Sequence, residues 1–257
     1  MDVSVFAPPR RGVRKEDCFF YHVNEIPGVG EVGEHWDLRA TIEDYLGHYD
    51  FSGRKVLDVG TASGYLTFEM EKRGANVVSF DVENARVTEI VPFHNDSSTM
   101  DELWASQEIG FDRLKNSYWF CHEHLNSSAR AFYGNIYQLP SSIGLFDTAV
   151  VGMCLPHVRD PLGALTSIAA RSKESVIITQ QTLHDEAPIM QMIAYPNPKH
   201  IEHLRFAWWM ISDGCLSNFM AILGFRLRQK NCANHKCIAY KPARYEECTT
   251  FVFERCK

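Results

Sequence analysis

The chain has 257 residues, 45% of them hydrophobic and 23% charged, with a formal net charge of −6. That length buries a substantial core and reads most simply as one large α/β domain. The acidic balance speaks against a polyanion as the main partner, because nucleic-acid binders present basic surfaces that replace phosphate counterions. The first twenty residues hold two prolines and a basic cluster but no apolar core of a secretory signal. No apolar run reaches the roughly 20 residues of a membrane helix. A cytoplasmic protein with no membrane partner is expected, and the eight scattered cysteines fit reduced thiols.

Residues 1–34, rich in Pro, Gly and charge, read as an N-terminal arm or lid, and 35–257 as the main domain. Over 35–46, Leu38, Ile42, Tyr45 and Leu46 recur at helical spacing and predict a helix. "RKVLDVG" reads as a buried strand, 63–73 as a helix ended by Gly74, and "ANVVSFD" as a second strand that closes a β-α-β unit at Asp81. The stretch 82–130 reads as an insertion forming a lid or pocket wall. It holds a capping box from Thr99 to Glu102, then Phe111, Leu114, Tyr118, Cys121 and Leu125 on one helical face. Strands near 130–133 and at "FDTAVVGM" follow, then a helix capped by Asp160 with Pro161 first, then the strand "SVIITQ". A second, loop-rich insertion covers 181–210. A helix over 213–223 carries Leu216, Phe219, Met220 and Leu223 on one face, and "FRLRQKN" and "KCIAYK" should close the domain as an antiparallel hairpin turning through 233–235.

The segment after the first buried strand runs Asp58-Val59-Gly60-Thr61-Ala62-Ser63-Gly64. A strand that enters a glycine turn and then a helix lets backbone approach a ligand closely. The dinucleotide fingerprint spaces its glycines for a pyrophosphate and needs no acid before them. Here an aspartate precedes the first glycine by two, which repels a pyrophosphate and favours a ligand bearing a cation. A second acid, Asp81, ends the next strand, where a carboxylate accepts from both ribose hydroxyls.

This pattern resembles the class I S-adenosylmethionine-dependent methyltransferases. "YGNIYQLP" at 133–140 matches their adenine loop, and "FDTAVVGMCLPHVRDPLGAL" at 146–165 their segment around the fourth strand. The resemblance implies a Rossmann-like α/β fold: a seven-stranded, mostly parallel sheet with an antiparallel C-terminal hairpin and helical lid insertions. It implies S-adenosylmethionine (SAM) as cofactor, with Gly60, Thr61 and Gly64 along its methionine and ribose side and Asp58 near the ammonium. Asp81 would hold the ribose, Val82 would lie beside the adenine, and Asn135 and Ile136 would border its edge, with Asn135 where aspartate is usual. Met153 would lie along the cofactor and His157 near its reacting end. Within the superfamily the likeness leans to the wobble-uridine tRNA carboxymethyl- and methyltransferases, through "WDLRATIEDYLGHYDFSGRKVLDVG", "LKNSYWF" and "HLRFAWWMISDGCLSNFMAILGF". Pro156 stands where that group has a tyrosine, "NEIPGVGEVGEHWD" lacks its lysine, and only Arg205 matches the third ligand of the extra carboxylate. Ordinary methyl donation is therefore expected.

Methyl transfer from a sulfonium is an in-line displacement, so positioning in a dry site is the main task. Where the acceptor carries a proton, a histidine serves as base. His157 is the first candidate and His22 in "FFYHVNE" the second, since an arm folded over the cofactor brings Tyr21 and His22 to the methyl group. Trp36, Trp208 and Trp209 are candidates to wall the pocket and face the sulfonium, with core packing as the competing reading. Arg205 would bind an acidic substrate group, unless it is a solvated surface arginine. No metal site is expected from "CHEH" at 121–124, whose histidines point to different faces, or from "CANHKC" at 232–237, read as a hairpin tip. The expected activity is methylation of a small molecule of the specialised-metabolite kind. The first rival is an RNA-modifying enzyme using Arg10, Arg11, Arg14 and Lys15; the second is a silent partner subunit, against which the two acids Asp58 and Asp81 argue. The sequence leaves the acceptor atom and the oligomeric state open.

Overall fold

An arm leads the chain in the computed structural model, which describes residues 5–91, 94, 97–194 and 207–257. The arm ends in a short antiparallel hairpin, β1 (Asn24–Ile26) with β2 (Gly30–Val32). Gly33 follows at φ +127°, and a Cβ there would sit 2.4 Å from the Val23 Cα, so glycine is what lets the chain fold back onto the arm.

The helix expected over 35–46 does not form. β3 (Trp36–Asp37) takes its first part and the single turn α1 (Ile42–Tyr45) its last. Edge pairing decided this: Trp36 and Asp37 lie opposite Cys237 and Lys236, and Ile238 N–H donates to the His35 carbonyl at 2.6 Å. Leu38, Ile42, Tyr45 and Leu46 are buried all the same, so their periodicity reported burial rather than helix.

The β-α-β unit is as expected: β4 (Lys55–Val59), α2 (Tyr65–Lys72) and β5 (Asn76–Val82), in parallel register from Lys55 opposite Asn76 to Val59 opposite Phe80. α3 (Met100–His124) is one helix of 25 residues, and the Thr99–Glu102 capping box forms. Its C-terminal half is the ordinary crossover from β5 to β6 (Arg130–Gly134), packing Tyr118 against Phe68 and Phe120 against Phe20. Gln107, Phe111 and Leu114, nearer its start, reach the cavity below. The long stretch 82–130 is thus a lengthened crossover that also walls the cavity, through residues such as Val87, Ile90, Gln107 and Phe111.

β7 (Phe146–Gly152), α4 (Pro161–Ala169) and β8 (Ser172–Gln180) continue the alternation, with Asp160 capping α4 through the Gly163 N–H. The loop-rich stretch instead holds a separate three-stranded sheet of β9 (Thr182–Leu183), β10 (Met190–Met192) and β11 (Trp209–Ser212). Arg205 lies outside the described residues. α5 (Asp213–Ile222) is capped by Ser212, whose hydroxyl accepts from the Cys215 N–H.

β12 (Phe225–Cys237) and β13 (Arg244–Arg255) form a hairpin much longer than expected, and it turns after Cys237 rather than at 233–235. Asn234 pairs with Glu247 and His235 with Glu246, so the ladder overrode the turn propensity of Asn-His. The main sheet runs β3-β12-β13-β8-β7-β4-β5-β6, parallel from β8 to β6 and antiparallel at β13, β12 and β3. It is the expected seven-stranded sheet with two-residue β3 added at the edge. Strand order reverses between β4 and β7, and the chain leaving their carboxyl ends diverges there to open a crevice.

Candidate active site

At that crevice lies a cavity of about 510 Å³, which Gly60, Asp81, Val82, Asn135, Ile136 and Met153 help to line. The turn after β4 is pinned to β5: Gly60 and Thr61 N–H groups both donate to the Phe80 carbonyl, at 2.9 and 3.0 Å. Ala62 N–H donates to Asp81 Oδ2 and Val82 N–H to Asp81 Oδ1, each at 2.7 Å. Two backbone donors therefore fix the carboxylate while its remaining lone pairs face the cavity. Burial raises the Asp81 pKa above the usual carboxylate range, opposed by those two N–H bonds and by Lys115. Ala62 adopts φ +49°, the left-handed conformation that a glycine would take without strain.

Asp58, Thr61 and Gly64, expected beside the cofactor, lie one layer behind the cavity wall. Asp58 is fully buried, and its Oδ2 accepts from Thr67 Oγ1 at 2.6 Å. Thr61 Oγ1 and Ser79 Oγ lie 2.9 and 2.7 Å from the same Thr67 oxygen, and Tyr118 Oη lies 2.9 Å from Ser79. Because the single Thr67 proton goes to the aspartate, the other hydroxyls direct theirs inward, and the whole chain ends on the carboxylate. Asp58 Oδ1 is buried without a partner among the described residues, and burial pushes the group's pKa up to about 6. A Cβ on Gly64 would lie 2.5 Å from the Phe68 ring and 2.8 Å from Tyr118, so this glycine serves the packing of α2 against α3.

At the cavity's other side, Asn135 Oδ1 accepts from its own loop, the Tyr137 N–H at 2.9 Å. Tyr137 Oη donates to Glu89, which also takes the Arg159 N–H and side chain. Glu89, Val87 and Ile90 line the cavity, and sequence reasoning missed them. The apolar Val87 and Ile90 between two polar runs were the signal available.

The arm closes the remaining side. Phe19 N–H donates to the Arg113 carbonyl and to Ser117 Oγ, and His22 N–H donates to Ser63 Oγ at 3.3 Å, which ties the arm to α3 and to the glycine turn. Tyr21, His22, Trp36 and Trp208 all line the cavity. Trp36 Nε1 donates to Tyr21 Oη at 3.2 Å, and the His22 ring stacks on Tyr65 with centroids 5.7 Å apart. His22 is 8% exposed, and burial drags its pKa down to about 3, so it is neutral at physiological pH. His157 also lines the cavity but is exposed, at its rim. Trp209 does not line it; its Nε1 donates to the Arg159 carbonyl at 3.0 Å. Tyr45, Leu66, Cys154 and Cys248 also line the cavity, and the sequence did not mark them as site residues. Burial pushes the Cys154 thiol up to about 12, which keeps it protonated. The histidines of the two Cys/His stretches hold structure: His122 and His124 donate to the Ala129 and Phe120 carbonyls, and His235 bonds Thr41.

These residues fit an adenosyl sulfonium. A fixed carboxylate, Asp81, suits a diol. The uncompensated Asp58 oxygen places negative potential under the turn, and among the described residues no Lys or Arg lines the cavity to repel a cation.

A family model described as a methyltransferase domain matches residues 36–230. The chain is similar in fold to the N-terminal domain of EvdMO1 solved with SAH bound: 13% identity over 95% of this chain and 94% of that one, TM-score 0.61. It is also similar to magnesium protoporphyrin IX methyltransferase (ChlM) from Synechocystis PCC 6803 with bound SAH, 12% identical over 85% of this chain and 81% of that one, TM-score 0.52. A match over most of the length, on a sheet with this strand order, makes the chain a member of the methyltransferase-domain family, a SAM-dependent methyltransferase with a Rossmann-like α/β fold.

Proposed function

We propose that the enzyme methylates a small-molecule acceptor held between the cofactor and the N-terminal arm. The observation that carries this reading is the arm itself, which lines one side of the crevice with Phe19, Tyr21 and His22 and leaves a partly covered, mostly apolar space. SAM, when bound, supplies an electrophilic methyl group on a positively charged sulfur. In this reading Asp81 accepts from the ribose hydroxyls, Val82, Asn135 and Ile136 border the adenine, and Gly60 and Met153 flank the methionine portion. Asp58 acts on the ammonium through its field, while Thr61 and Gly64 hold the turn in shape. The walls orient the acceptor, His22 stays neutral as a hydrogen-bonding group because burial lowers its basicity, and His157 at the rim is the histidine that would take a proton from the acceptor.

The wobble-uridine tRNA reading loses support from the arm's arginines, since Arg10 pairs with Asp112, Arg11 with Glu123 and Arg14 with Asp17. The presence of both acids, Asp58 at the end of β4 and Asp81 at the end of β5, speaks against a silent partner subunit. We also place the enzyme in the cytoplasm: all eight cysteines are unpaired, and among the described residues no helix is long and apolar enough to cross a membrane.

Calorimetry with SAM and its demethylated product tests the assignment. Asp81→Ala should weaken binding by about 1.5–3 kcal/mol through lost charge-assisted hydrogen bonds. Unchanged affinity would remove Asp81 from the ribose site, and no binding by the wild type would return the silent-subunit reading.

A further inference from the structure

Resting on that placement of the cofactor, we propose that the Tyr45 hydroxyl holds the carboxylate at the end of the cofactor's methionine portion. Tyr45, the last residue of α1, is 4% exposed and lines the cavity. A Cβ built on Gly152 would lie 3.1 Å from the Tyr45 oxygen, and Gly152, at the end of β7, lines the same cavity. A side chain at 152 would therefore crowd the hydroxyl, and glycine leaves it uncovered. Val59 of β4 pairs with Val151 of β7, which sets Gly152 beside Gly60, where the methionine portion is assigned.

The Tyr45 hydroxyl makes no hydrogen bond among the described residues. Unlike the side-chain nitrogens of His22 and Trp208, which are sealed in without partners, it keeps accessible surface. Its ring is held edge-on to His235 with centroids 5.1 Å apart, and the Tyr45 carbonyl accepts from Thr179 Oγ1 at 2.7 Å. Burial, with Cys248, Tyr21, Asp58 and Cys154 nearby, pushes the phenol pKa well above its usual value, so the group stays a neutral donor.

The need for such a donor comes from the glycine turn. Its Gly60 and Thr61 N–H groups donate to the Phe80 carbonyl, that of Ala62 to Asp81 and that of Gly64 to the Thr61 carbonyl. These four amides are committed inside the protein, and among the described lining residues no Lys or Arg supplies a counterion. Asp58 draws the ammonium, so the carboxylate on the same carbon is left to a neutral donor. A phenol that donates to a carboxylate forms a charge-assisted bond, roughly twice as strong as one between neutral groups.

Calorimetry with S-adenosylhomocysteine and its decarboxylated analogue, which keeps the nucleoside, the sulfur and the amine, tests this. The wild type should bind S-adenosylhomocysteine about tenfold more tightly than the analogue. Tyr45→Phe removes an oxygen that bonds nothing in the described protein; it should lose about tenfold in affinity for S-adenosylhomocysteine and bind the analogue unchanged. Equal losses for both ligands, no loss for either, or a wild type that binds the two alike would overturn the inference. So would Arg205→Ala if it abolished the preference, because the carboxylate would then belong to that arginine. Should Tyr45→Phe not fold, the wild type and Arg205→Ala decide: a preference kept in both supports Tyr45, and one missing from either overturns it. Failure of the wild type to bind either compound strikes the cofactor assignment, whereas binding without a preference for the carboxylate strikes this inference alone.

Discussion

Ala62 shows how the turn was built from a residue unsuited to it. Its φ of +49° costs an L-residue about 1 kcal/mol, and the bond from its N–H to Asp81 is what holds it there. Ala62→Gly should therefore raise stability by about 0.5–1 kcal/mol, read as a higher urea midpoint with unchanged slope. A lower midpoint would mean that no strain resides at this position. The residue scale is also where sequence reading reached its limit. The acid and glycine spacing singled out Asp58, Gly60, Gly64 and Asp81 together, but only Gly60 and Asp81 line the cavity. A motif records which residues a turn requires; it does not separate those that touch a ligand from those that hold the turn.

Among the elements, the arm joins packing to function most directly. Cys18, Phe20, Ile26 and Val32 bury themselves with Trp119, Phe120 and Cys121 of α3, so the segment read as a lid is also a piece of core. That packing carries Tyr21 and His22 to the cavity. Gly33→Ala would force its Cβ into the Val23 backbone, an overpacking worth about 1–3 kcal/mol. Limited proteolysis should then cut the arm well before the sheet, and an arm as resistant as in the wild type would contradict the packing account. β3 and the β12–β13 hairpin make the same point in reverse. Local periodicity predicted a helix over 35–46 and the flanking strand segments a turn at 233–235, and in both places partners distant in sequence settled the backbone instead.

For the molecule as a whole, the buried titratable groups set a dependence of stability on pH. The Asp58 pKa is raised from 3.8 to about 6 on folding, so its contribution favours the folded state at low pH and is lost as pH rises through 6. His22 runs the other way, its pKa lowered from 6.5 to about 3, so its contribution is present above pH 6.5 and is lost as pH falls. Comparison of Asp58→Asn with the wild type isolates the first effect: without cofactor, the variant should gain about 2 kcal/mol relative to the wild type between pH 4 and pH 8. Denaturant titrations showing the same difference at both pH values would sink it. Saturating SAM should shrink that gain, because a cation near the turn favours ionised Asp58. Read alone, the sequence determined the alternation of strands and helices, the acid-and-glycine turn, the capped starts of α3 and α4 and the enzyme class, because each is encoded in neighbours a few residues apart. Only the tertiary structure decided which residues meet at the cavity. It brought residues 19, 21, 22, 36, 45, 208 and 248 together from distant parts of the chain through sheet pairing and core packing, and no local pattern carries that information.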